Sequence, residues 1–144
     1  MRPSSHERAE QGNAVVEFVF LSLLLMVPLV YFIITVGQIQ GGSFAVVGAA
    51  DQAAKVYVAQ PDAARARAAA EQAVLLALAD YGQPADNARM DTSCVPADCL
   101  APGSTVTVTV HLTVPLPFVP FSDALHLNAS HLSASATQLV GRFR

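Results

Sequence analysis

Gly12-Asn13-Ala14-Val15-Val16-Glu17-Phe18 opens an apolar run that continues to about Val36, and the nature of this run decides what the rest of the chain can be. From Phe18 to Ala50 there is no charged residue. About 20 apolar helical residues, at ~1.5 Å rise each, cross the hydrocarbon core of a bilayer. The run from Asn13 is therefore expected to form a transmembrane helix over 13–41. Glu17 stands out in it, because a carboxylate in lipid is costly and calls for a shallow position or a partner. One reading keeps Glu17 at the membrane interface, near the positive end of the helix dipole. The other gives it a cation on a neighbouring helix.

The second reading follows from the pattern as a whole. Gly12, four residues, Glu17-Phe18 and a long hydrophobic helix resemble the class III signal of type IV pilin-like proteins, most closely the TadE-like minor pseudopilins of Tad (Flp) pilus systems. The resemblance implies cleavage by a membrane prepilin peptidase between Gly12 and Asn13, which makes Glu17 the fifth residue of the mature chain. It also implies that Glu17 pairs with the new N-terminal ammonium of an adjacent subunit. Two buried opposite charges offset their desolvation only at close range, so such a pair favours one axial register between helices. Gly12 would present an unhindered, extended backbone to the peptidase. The implied partners are that peptidase, the major pilin and other pseudopilins, the pilus assembly platform in the membrane, and the lipid bilayer. Gln11 stands where the family often has a basic residue, and Glu7 and Glu10 offset Arg2 and Arg8.

Three segments follow from this reading: a leader over 1–12 without regular structure, the transmembrane helix over 13–41, and an extracytoplasmic α+β domain over 42–144. No Lys or Arg lies between Arg8 and Lys55, so the N-terminus is assigned to the cytoplasmic side of the inner membrane. An ordinary secretory signal fits less well, because its apolar core is shorter and lacks an acid at its start. An uncleaved single-pass anchor displaying a binding or sensory domain is the alternative that leaves the Gly12–Phe18 pattern without a purpose.

After the run, Gly41-Gly42-Ser43 is expected to loosen the helix. Phe44 to Val58 then continues as an amphipathic extension with Asp51, Gln52 and Lys55 on its polar side. Pro28 removes one backbone donor within the helix. Pro61-Asp62 should start a second helix, with Ala70, Val74, Ala77, Leu78 and Tyr81 as its packing face and Gly82 and Pro84 as its stop. Beyond it, 89–94 reads as a short strand. Val106, Val108, Val110, Leu112 and Val114 alternate with polar residues, the pattern of an antiparallel strand with one dry face. Leu125, Leu127 and Ala129 start a further strand in one phase, and Leu132, Ala134 and Ala136 continue it in the other, which predicts a bulge near Ser130-His131. The expected fold is thus α+β and membrane-anchored: a long N-terminal helix, a second helix and a small antiparallel sheet of about three strands. Between the last two strands, the proline-rich 115–121 either caps the domain's own core or offers an apolar contact.

Cys94 and Cys99 are the only cysteines among 144 residues. A disulfide across so short a loop is sterically allowed and would persist outside the cytoplasm. Free thiols are the alternative, and a metal would need two further ligands. His126 and His131 would face opposite sides of a regular strand and His111 would face solvent, so no metal site is expected. No nucleophile elbow and no phosphate-binding glycine loop occurs. A formal net charge of −3 gives no basic surface for nucleic acid. The expectation is a non-enzymatic assembly component without a cofactor.

Overall fold

The computed structural model describes residues 5–116 and 129–142, with side chains from Asn13 onward. Helix α1 spans Ser5–Val58 and helix α2 spans Ala63–Asp80. A single 3-10 turn at Ala85–Asn87 leads into strands β1 (Ala88–Val95), β2 (Thr105–Pro115) and β3 (Ala129–Leu139). The strands form one antiparallel sheet in the order β1-β2-β3. The chain divides into two compact units, Met1–Gly37 and Gln38–Arg144.

The core of the second unit joins three elements. Val106, Val108, Val110, Leu112 and Val114 are buried on the inner face of β2. With them in one cluster lie Ala45, Val46, Ala49, Ala50, Ala53, Ala54 and Tyr57 of α1, and Ala66, Ala70, Val74 and Leu78 of α2. Alternation along β2 sends every second side chain to the helices, and alanine spacing on α1 and α2 supplies the matching shallow surfaces. The polar side of α1 is as expected: Lys55 Nζ lies 2.6 Å from Asp51 Oδ2, an exposed pair one turn apart.

Both ends of α2 are made by local chemistry. Asp62 is its N-cap: Oδ1 accepts the Arg65 backbone N–H at 2.9 Å. Pro61 therefore lies just outside the helix rather than in its first turn. At the other end Gly82 takes φ +66°, its N–H donates to the Ala79 carbonyl, and the Gln83 N–H donates to Leu78, both at 2.9 Å. That is a Schellman ending, and it needs a residue tolerant of positive φ at Gly82. Tyr81 is half exposed at this cap and does not extend the buried face. Ala66 takes a buried place instead, one turn ahead of Ala70.

Three other expectations are corrected. The helix begins at Ser5, so 5–12 is helical rather than lacking regular structure. Gly41-Gly42-Ser43 is not a loosened point: α1 is continuous there, and Ser43 Oγ donates to the Ile39 carbonyl at 2.9 Å. Gly42 is where α1 meets the sheet, since a Cβ placed on it would lie 2.8 Å from Leu132 Cδ1 and 2.8 Å from Val114 Cγ2. Finally, β3 has no bulge at Ser130-His131. Its pairing with β2 runs without interruption from Pro115↔Ala129 to Thr105↔Leu139. Leu132, Ala134 and Ala136 pair with the inward Leu112, Val110 and Val108, while Ala129 shares the opposite face with His131. The residues that suggested a phase change, Leu125 and Leu127, lie outside the described residues, as do His126 and most of 115–121.

The two adjacent glycines make a paired prediction. Gly42→Ala should lower stability by about 1–3 kcal/mol, because Val114 is branched and has little room to yield. Gly41→Ala, with open space at its Cβ, should be neutral or stabilise by up to about 1 kcal/mol through helix propensity. Denaturant unfolding of both variants in detergent, followed by circular dichroism, measures the difference.

Candidate functional site

The residues singled out at the N-terminus fall within one helix. Five consecutive positions, Leu23, Leu24, Leu25, Met26 and Val27, are all exposed. At 3.6 residues per turn they circle the helix completely. Val15, Val16, Phe18, Val19, Phe20 and Leu21 extend the same surface towards the start, with Phe18 at 71% exposure. A helix that is apolar on every side is not the surface helix of a water-soluble domain and requires lipid or other helices around it. It is long and apolar enough to cross a membrane. Within it, Thr35 Oγ1 donates to the Tyr31 carbonyl at 2.9 Å, which satisfies the hydroxyl inside the helix itself.

Glu17 lies on this surface, exposed, and among the described residues it forms no salt bridge. Asn13, the residue that would follow a cut, is exposed as well, and the Gly12–Asn13 bond lies within α1. Helical geometry at that bond differs from the extended backbone expected there. A peptidase would have to unwind it, and glycine lowers that cost by about 1 kcal/mol relative to alanine.

Cys94 and Cys99 are joined by a disulfide. It ties the end of β1 to the connection before β2, and both half-cystines pack against the edge of the core together with Leu100. Beside it, the buried Ser104 hydroxyl lies 3.0 Å from the Cys99 carbonyl and 2.7 Å from that of Ala101. Gly103, at φ +84°, turns the chain into β2.

The sheet face turned away from the helices is a hydroxyl ladder. Thr107 and Thr137 pair at 2.9 Å, and Thr109 and Ser135 at 2.8 Å. His111 faces this side, and its Nε2 lies 3.3 Å from Asp91 Oδ2 on the neighbouring strand. His131 Nδ1 lies 3.2 Å from Thr113 Oγ1. With Asp86 and Arg89 these side chains line a shallow concavity. Sequence inspection missed the Asp91–His111 contact because it depends on the β1–β2 register, in which Arg89 is opposite His111 and Asp91 lies diagonally. Among the described residues no group of three or more His, Cys, Asp or Glu could hold a metal ion.

The disulfide carries a prediction. Its loop is short, so the constraint it places on the unfolded chain is worth about 2 kcal/mol. Replacing both cysteines, Cys94→Ser with Cys99→Ser, should lower Tm without abolishing the fold, as thermal unfolding in detergent will show. Compared with family models, with curated proteins and with solved structures, the chain matches none.

Proposed function

We propose that the chain is a TadE-like minor pseudopilin of a Tad (Flp) type pilus system, an assembly component rather than an enzyme. One observation carries this reading: the stretch of α1 over 13–36, apolar on all sides along 13–30, bears a single carboxylate, the exposed Glu17, at the fifth position after Gly12. A surface of that kind has no use in water, and a lone acid on it has no use in lipid without a cation. Cleavage between Gly12 and Asn13 would create that cation as the α-ammonium of Asn13, and Glu17 of one subunit would meet the ammonium of the next. The helix from Asn13 would then pack with those of the major pilin and other pseudopilins at the membrane assembly platform.

The N-terminus is placed on the cytoplasmic side of the inner membrane and the Gln38–Arg144 unit outside the cytoplasm. The disulfide supports that side, because such bonds persist in oxidising compartments and are rare in the cytosol. The helical state of the Gly12–Asn13 bond favours a second reading, an uncleaved single-pass anchor displaying a small binding or sensory domain.

Intact mass and N-terminal sequencing of the membrane-extracted protein separate the two. A mature chain beginning at Asn13 is expected when a prepilin peptidase is co-expressed. An intact leader under those conditions overturns the pseudopilin reading and leaves the uncleaved anchor. Glu17→Ala should spare this processing while sharply lowering co-purification with pilin partners. Unchanged co-purification would remove the ion-pair role.

A further inference from the structure

The Gln38–Arg144 unit carries a second apolar surface that its own core does not use. Phe44 and Val47 on α1 are 65% and 59% exposed, and Leu76 on α2 is 70% exposed. Leu75 and Tyr81 are also about half exposed. These residues gather at one end of the helical pair. The short connection 59–62 turns the chain back between α1 and α2, and the two helices share one core. Counted from that turn, Phe44 and Leu76 each lie about 20 Å along their helix, at the same level.

Charge is distributed along the pair in the same sense. No residue from Gln38 to Ala50 or from Gln72 to Ala79 is charged. Asp51, Lys55, Asp62, Arg65, Arg67 and Glu71 all lie towards the turn, where they form three exposed ion pairs. Within the two helices, Asp80 beside Tyr81 is the one charged residue at the apolar end. One end of the helical pair is thus dressed for water and the other is not.

We propose that the uncharged end, through Phe44, Val47, Leu75, Leu76 and the ring of Tyr81, rests on the lipid surface. This rests on reading 13–41, with its apolar run to about Val36, as membrane-spanning. The occupant is set by reach: Phe44 follows Val36 by eight residues. Even a fully extended chain of that length covers only about 28 Å, so the patch stays close to the interface. The tyrosine ring and hydroxyl suit the headgroup level, with Asp80 at the wet margin. Neither helix carries a basic residue at this end, which suits a zwitterionic surface better than an anionic one.

The chain contains no tryptophan, so a single introduced one reports its own environment. Full-length Leu76→Trp, Phe44→Trp, Leu24→Trp and Ser133→Trp are reconstituted separately in phosphatidylcholine vesicles brominated at both shallow and deep positions of the acyl chains. Leu24 reports on the span and Ser133 on the open sheet face. Emission from Leu24→Trp, Leu76→Trp and Phe44→Trp should be blue-shifted and lose most of its intensity to bromine, while Ser133→Trp keeps its own. Quenching of Leu24→Trp without that of Leu76→Trp and Phe44→Trp overturns the lipid contact and leaves the anchor standing. Blue-shifted but unquenched emission at the patch overturns it in favour of a protein cover, such as a second copy. Equal quenching of Ser133→Trp overturns it as unspecific. Failure to quench Leu24→Trp overturns the membrane reading, and this inference with it.

Discussion

The Gln38–Arg144 unit depends on how closely α1 can approach the inner face of β2. That face is a row of valines and leucine with no polar atom to satisfy, and it must be covered. What covers it is small: Gly42, then alanines at 45, 49, 50, 53 and 54. Small side chains let the helix backbone come close to the sheet, and Gly42 marks the tightest point, where even a methyl group would press on Leu132 and Val114. α2 repeats the device with Ala66 and Ala70 and adds Val74 and Leu78 to fill the remaining space. A domain of this size has little core to spare, so closeness of packing substitutes for bulk. The disulfide at the end of β1 adds a covalent constraint where the core thins out.

The same chain uses apolar residues for two opposite purposes. On α1 between Gln38 and Val58 one side is buried, while the other carries Asp51, Gln52 and Lys55 towards the turn and the exposed Phe44 and Val47 further from it. Between Asn13 and Val30 every position is exposed, so the apolar residues there occupy every direction. A one-sided pattern buries itself against its own domain, whereas an all-round pattern has to be covered by something else. That difference separates the part of the helix that makes a fold from the part that is long and apolar enough to cross a membrane.

The open face of the sheet shows what the protein does with its polar residues. Threonine and serine pair across strands, and the imidazoles of His111 and His131 each take a neighbour on an adjacent strand. Cross-strand pairs of this sort add to sheet stability and settle the ladder. Among the described residues these pairs bring acid and imidazole together at one place, Asp91 and His111.

Much of this was legible in the amino-acid order, because periodicity reports which neighbour a segment needs. The alternation from Thr105 to Val114 marks a two-faced strand, Gly82 marks the stop of α2, and the uncharged run after Glu17 marks a long apolar helix. The α+β order of elements and the Asp51–Lys55 pair follow from such local rules. What depended on through-space neighbours was not visible. Gly42 and Gly41 look alike along the chain, yet only Gly42 faces Leu132 and Val114. Asp91 and His111 meet only because β1 and β2 pair in one register. The apparent change of phase before Ser130 leaves no bulge, because the unbroken ladder with β2 holds β3 in a single phase from Ala129 to Leu139. Local pattern determines which face of each element is dry, and only the tertiary arrangement decides which residue on that face touches which, because contact depends on register and distance between elements far apart in the chain.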